Sequence, residues 1–144
     1  MTTFVVILLG IVLGGMMLFS FVIAPAVFRF LPDDAAGRFI RRLFPLYYTF
    51  AGIGSAAACL GLALRLPRHL TEFVLVFVVA SGFVVARWWL MPAINAARDA
   101  RLDGDDTAGR RFARLHGASM VVNLAQMLLV TGAMVSLLVT GAAS

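Results

Sequence analysis

The run FVVILLGIVLGGMMLFSFVIA, residues 4–24, contains 21 residues without a charged side chain. A helix needs about 20 apolar residues to cross the hydrocarbon core of a bilayer. The run reads as a transmembrane helix. Met1-Thr2-Thr3 ahead of it carries no basic residue, so the run is expected to be a retained span and not a cleaved signal peptide. Working outward, three further apolar stretches follow at about 44–64, 72–91 and 115–138. Pro25 and Pro92 are expected to end the first and third spans, and Pro45 stands at the entrance of the second.

Composition agrees with a chain built for lipid. Of 144 residues, 62% are hydrophobic and 13% charged, with a mean hydropathy of +0.97. A soluble domain has about 45–50% apolar and about 25% charged residues. Four spans and short loops use nearly the whole length, which leaves no room for a soluble domain. Residues 1–144 form one domain. The expected fold is all-α and integral to the membrane.

The net charge of +5 rests on twelve Arg and no Lys. A basic chain raises nucleic acid as a partner, but these Arg lie in short connections between apolar runs. Topology control and contact with anionic head groups account for them, so the expected partner is the lipid bilayer and not nucleic acid. Arg29, Arg38, Arg41 and Arg42 flank the first connection. Arg98, Arg101, Arg110, Arg111 and Arg114 flank the third, with Arg87 close by. The second connection has only Arg65 and Arg68. This asymmetry predicts an inner-membrane, multi-pass protein with the first and third connections in the cytoplasm and both termini outside it. The single Cys59 lies in an apolar stretch, rules out an intramolecular disulfide and is expected to pack as a small hydrophobe.

An internal repeat divides the chain. Asp33-Asp34-Ala35-Ala36-Gly37-Arg38 recurs as Asp105-Asp106-Thr107-Ala108-Gly109-Arg110, and Arg42-Leu43 as Arg114-Leu115, an offset of 72. Ala24-Pro25-Ala26-Val27 corresponds to Met91-Pro92-Ala93-Ile94 at an offset of 67. The pseudo-repeats run from about 4 to 72 and from 73 to 144. Each is a two-span hairpin with a proline-ended first helix, an Asp33/Asp34 or Asp105/Asp106 cap and a basic entry. Two spans per half make the halves parallel, so the predicted architecture is a four-transmembrane-helix bundle built from two parallel two-helix hairpin repeats. Convergence of two loops on good capping chemistry is the other reading.

Four residues on the last span could carry chemistry. His116, Ser119, Asn123 and Gln126 are spaced 3, 4 and 3 apart and form one polar stripe on an otherwise apolar helix. An unpaired amide is costly in hydrocarbon, so the stripe should face the bundle. It serves either interhelical hydrogen bonding or a path for a ligand, ion or proton. At about 1.5 Å per residue, Ser119, Arg87, Tyr47 and Tyr48 lie at similar depths beneath the cytoplasmic surface, as does Ser20. Arg87 is expected to reach this layer or to snorkel outward. Trp88, Trp89, Tyr47 and Tyr48 read as an interfacial aromatic belt. Gly10 and Gly14, and Gly132 with Ser136 and Thr140, offer flat surfaces for helix packing in a homo-oligomer or with other membrane subunits.

Other chemistry lacks its residues. His69 and His116 sit near opposite faces and cannot ligate one metal or sandwich one haem, so no cofactor and no metal is expected. Asp103, Asp105 and Asp106 have neither the spacing nor the closing Glu of a calcium loop. No Ser-His-Asp set, P-loop or dinucleotide motif is present, and no catalytic residue is assigned.

Pro25 with Phe28, the Arg42–Tyr48 run, the Trp89–Asp99 segment, and Phe112 with His116-Gly117-Ala118-Ser119 and Asn123 resemble the transmembrane-protein-205-like family across nearly the whole chain. The matched motif positions are Pro25, Pro92, Asn95, Arg98, Asp99, His116, Ser119 and Asn123. The resemblance implies a four-span membrane domain and no particular reaction. The stripe and depth reading and the matched motif together make Arg87, His116, Ser119, Asn123, Gln126, Tyr47, Tyr48, Asn95 and Asp99 the ligand or polar-layer candidates. The expected function is that of a non-enzymatic small transport element or a subunit of a larger membrane assembly. The alternative is a membrane enzyme or haem- or ligand-binding protein that uses the stripe of the fourth span.

Overall fold

A computed structural model describes residues 2–142, so the side of the membrane expected for Ser144 lies outside the described residues. Four helices follow one another: α1 (Thr2–Phe30), α2 (Asp33–Ala63), α3 (Leu70–Leu102) and α4 (Asp106–Gly141), each long and apolar enough to cross a membrane. Among the described residues there is no strand. Each helix packs on its neighbours in sequence and α4 closes the ring on α1, giving an up-down-up-down bundle.

Helical periodicity builds the inside. Val5, Leu9, Val12 and Met16 recur at three- and four-residue steps along α1, and Val76, Val79, Phe83 and Ala86 do so along α3. Ala51, Ser55, Ala58 and Leu62 of α2 and Val130, Ala133 and Leu137 of α4 complete the core. The outer faces are equally apolar. Phe4, Ile7, Ile11, Val78, Leu128 and Val139 are all exposed. Only 22–39% of the most apolar window of each helix is buried inside the bundle. In water such a surface would aggregate, whereas lipid tails cover it at no cost. This is a multi-pass membrane protein.

Neither proline ends its helix, contrary to expectation. Both α1 and α3 continue through Pro25 and Pro92 to Phe30 and Leu102. Just before each proline the helix widens into one π turn, Phe19–Ile23 and Ala86–Leu90. The residue ahead of each proline donates its N–H five residues back, Ala24 to Phe19 and Met91 to Ala86. Proline has no N–H and crowds the carbonyl four residues before it, and the wider turn relieves both. The α-helical extension beyond the π turn is 7 residues in α1 and 12 in α3. Pro45 lies inside α2, which continues through it from Asp33 to Ala63.

The caps differ between the halves. The expected cap by Asp33 or Asp34 does not form, because α2 starts one residue earlier in phase, with Pro32 at its N-cap and no side-chain cap bond. Asp33 and Asp34 sit in the first turn, where the helix dipole favours them. Asp105 does cap α4. Its Oδ1 accepts from the Thr107 hydroxyl (2.7 Å) and N–H (2.8 Å) and from the Ala108 N–H (3.3 Å). These bonds to the charged form hold the Asp105 carboxyl below the usual carboxylate range.

The aromatic belt divides as well. Trp88 and Trp89 point outward, 67% and 79% exposed, but Tyr47 and Tyr48 are core residues at 8% and 7%. The helical phase of α2 places them on the face that also carries Ala51, Ser55 and Ala58. There Tyr47 stacks on Phe19 at 4.3 Å between ring centroids and meets Phe83 edge-on at 6.2 Å.

Gly10 faces Met134 of α4, whereas Gly14 opens onto free space. The hydroxyl of Ser55 is fully buried and has no hydrogen-bond partner among the described residues. A buried unsatisfied polar group costs about 1–3 kcal/mol. Ser55→Ala is therefore expected to raise the thermal midpoint in detergent; a clear fall would show that this hydroxyl has a partner in the protein.

Candidate functional site

The half of the bundle that holds the first and third connections encloses a cavity of about 1000 Å³. All four helices line it. At the Arg-rich end stand Asp33, Asp34 and Arg41 of α2 with Asn95, Arg98 and Arg101 of α3. His116, Ser119 and Asn123 of α4 and Ser20 of α1 line the middle. Phe19, Phe44, Tyr47 and Met127 close the deep end. Phe21 and Phe28 of α1 and Met120 and Leu124 of α4 line it too, yet are exposed on the outer surface. The exposed lining thus marks a sideways mouth between α1 and α4, continuous with the Arg-rich end, where Asp33, Asp34, Arg41 and Arg101 are also exposed.

The polar wall is organised by hydrogen bonds across the bundle. The Tyr47 hydroxyl donates to Asn123 Oδ1 at 2.6 Å, and Asn123 Nδ2 donates to Ser20 Oγ at 2.9 Å, which ties α2, α4 and α1 together. Gln126 Nε2 donates to the Val79 carbonyl of α3 at 3.0 Å. Ser119 returns its proton to the His116 carbonyl of its own helix at 2.7 Å. The polar stripe of α4 therefore has two parts. Asn123 and Gln126 bond to other helices, while among the described residues His116 and Ser119 bring no other helix a hydrogen bond, and both border the cavity.

The Arg-rich end is a charged array. Arg41 forms a two-pronged pair with Asp99, Nη1 to Oδ1 at 2.8 Å and Nη2 to Oδ2 at 2.9 Å. Arg101 lies over the Phe112 ring at 5.3 Å, and Phe112 is parallel to the His116 ring at 5.7 Å. The Arg98 guanidinium lies across α2 in the space that a Cβ on Gly37 would fill. Arg87 is not among these groups. Its guanidinium sits 4.8 Å over the ring of Trp88, and it lines no part of the cavity. The expected reach to Ser119, Tyr47 or Tyr48 is not made, because the outward face of α3 supplies an aromatic partner one residue away.

Residues 7–103 match the family described as "Domain of unknown function (DUF4149)". The chain belongs to this family. A DUF4149 match covers α1, α2 and α3 and stops short of the α4 stripe, and it does not single out the transmembrane-protein-205-like family. A protein of Aquifex aeolicus (strain VF5), described as an uncharacterized protein, is 27% identical over 127 residues, covering 87% of each chain. No solved structure matches the chain.

A second polar group in this DUF4149 protein escaped the sequence reading. At the opposite end of the bundle Glu72 is 4% and His69 5% exposed. Ser136 of α4 donates to Glu72 Oε1, and His69 Nδ1 lies 3.7 Å from Oε2. Ser136, expected on an outer packing surface, instead joins α4 to α3 here. The available signal was one carboxylate at the edge of an apolar run, a residue type that rarely enters a span without a partner. Between this group and the cavity lie Leu9, Val12, Val76, Val79, Val130 and Ala133, an apolar plug. Among the described residues no three His, Cys, Asp or Glu come together as metal ligands.

Proposed function

We propose that this protein is a non-enzymatic inner-membrane element that holds a small amphiphilic ligand in its side-opening cavity, acting in transport or as the accessory subunit of a membrane assembly. The observation that carries this reading is the cavity itself, which has the size of a ligand pocket, about 300–1,000 Å³. The His116 ring and the acceptor side of the Ser119 hydroxyl supply polar edges on its wall. The same residues serve the alternative, an enzyme or haem protein, which a Soret band in the purified protein would favour. Filling the cavity tests the main reading. Ser119→Trp is expected to abolish small-molecule retention seen by native mass spectrometry in the wild type; equal retention by both proteins would end it.

The finer topology belongs to the same proposal. Ten of the twelve Arg flank the first and third connections, which supports a cytoplasmic position for the cavity's charged end. A reporter that is active only in the cytoplasm and fused after Ser144 should stay silent. The exposed, open faces at Gly14 and Gly132 support association with a second copy or another membrane subunit. The motif positions from Pro25 to Asn123 support kinship with the transmembrane-protein-205-like family.

Duplication of a two-helix unit explains both sequence offsets. The π turns and prolines recur at 67 residues and the acidic starts at 72, and the five-residue difference equals that between the 12- and 7-residue extensions. An experimental structure in which the halves superpose only about an axis lying in the membrane would argue against it.

A further inference from the structure

We propose that the cavity's ligand is a glycerophospholipid, with its phosphate on Arg98 and an acyl chain running inward along α4. This rests on the ligand-holding reading above and names the chemistry of that ligand. Three independent features carry it.

The first is an unanswered charge. Arg98 is half-buried, lines the cavity and forms no hydrogen bond or ion pair among the described residues. Asp99, the carboxylate beside it, is held by both prongs of Arg41. Gly37 leaves the guanidinium a bed on α2, since any side chain there would occupy its place. A half-buried cation whose neighbouring carboxylate, Asp99, is already taken by both prongs of another arginine has donors left for a further anion, and the guanidinium fork matches phosphate oxygens.

The second is the gradient along the cavity. Charged groups stand at one end only, and aromatic and aliphatic side chains at the other. Tyr47, Asn123 and Ser20 near the deep end bond to one another, so these polar groups already have partners where an acyl chain would lie. Asp33 and Asp34 share the charged end with Arg98 and Arg101. A head group with an ammonium beside its phosphate therefore meets both signs.

The third is length and access. Phe112 to Met127 spans about 22 Å of helix, which matches one leaflet with its head groups, about half of 40–45 Å. The opening between Phe21, Phe28, Met120 and Leu124 faces lipid, so a phospholipid enters sideways without leaving the membrane. A soluble phosphate ester would leave the apolar half empty.

Native mass spectrometry with delipidated full-length protein tests this, using phosphatidylethanolamine, phosphatidylglycerol, diacylglycerol of the same chains, and inorganic phosphate as separate probes. Both phospholipids should be retained, phosphatidylethanolamine at least as well as phosphatidylglycerol, and diacylglycerol about ten- to hundredfold less, as expected for loss of a charge-assisted bond. Arg98→Gln should bring the phospholipids down to the diacylglycerol level. Gly37→Ala should do the same by displacing the guanidinium, and an unchanged circular-dichroism melt identifies each variant as folded. Equal retention of diacylglycerol, with no effect of Arg98→Gln, would overturn the phosphate assignment while the cavity reading stands. Binding of inorganic phosphate as tight as that of phospholipid would overturn the lipid. Phosphatidylglycerol retained tenfold better than phosphatidylethanolamine would overturn the part given to Asp33 and Asp34. Retention of no amphiphile, with Ser119→Trp indistinguishable from wild type, would sink both readings together.

Discussion

Phe83→Ala is expected to destabilise the protein by up to about 3–5 kcal/mol, the range for deleting a buried aromatic ring from a packed core. Phe83 is among the largest fully buried side chains, and its ring meets both Tyr47 and Tyr48. In a membrane part of that range is lost, since a side chain released from the bundle meets lipid and not water. The cavity left behind is not relieved in the same way, because neighbouring helices cannot collapse without moving the whole ring. The change also removes the support beneath Tyr47, whose hydroxyl holds Asn123 and through it Ser20. Unfolding in mixed detergent should show a large loss for Phe83→Ala, less than about 1.5 kcal/mol for Phe83→Leu, and a change within about 0.5 kcal/mol for the outward-facing Val135→Ala. A Phe83→Ala variant as stable as Val135→Ala would show that this core does not depend on the ring.

Gly54→Ala is expected to cost about 1–3 kcal/mol through overpacking. A Cβ at position 54 would come within 2.5 Å of Val12 Cγ2, and one at Gly61 within 2.9 Å of Val5 Cγ2. The two contacts are seven residues apart on each helix, so α1 and α2 touch through glycine at two points about two turns apart. Such close approach is how membrane helices gain packing energy where the hydrophobic effect is absent. Two controls separate this contact from helix propensity. Gly14→Ala, where nothing lies within 4 Å, should be neutral or slightly stabilising. Val12→Ala should restore most of the loss in Gly54→Ala, since the two sites share one contact. Additive losses in the double variant would rule out the clash.

Much of the fold could be read directly from the chain. Four apolar runs, whose only charged residues are Glu72 and Arg87 near the ends of the third, are separated by Arg-rich or proline-marked turns and leave four spanning helices as the arrangement in a bilayer, because a backbone in hydrocarbon must satisfy its own hydrogen bonds. The inward face of α4 was legible from the spacing of His116, Ser119, Asn123 and Gln126. The ends of α1 and α3 were not. Pro25 and Pro92 normally stop a helix, and only the π turns ahead of them, held by neighbouring helices, let the chain continue. Tyr47 and Tyr48 carry the composition of an interfacial belt, and their burial was decided by the rotation of α2 against α1 and α3.

The site divides along the same line. Residue types and periodicity set which groups face inward, since those depend on one helix at a time. Which of them meet was settled by how the helices pack. Tyr47 reaches Asn123 across the bundle, Arg41 takes Asp99 and leaves Arg98 unmatched over Gly37, and Arg87 turns to Trp88. Glu72 is the clearest case. Its charge is visible in the sequence at the edge of an apolar run, but its partners His69 and Ser136 come from a loop and from a helix 64 residues away. The sequence by itself determined four spans and their polar faces through local helical geometry and the cost of polar groups in lipid; the cavity, its sideways opening and the placing of the Arg98 guanidinium over Gly37 while Arg41 takes Asp99 exist only once four helices are set at particular rotations and depths.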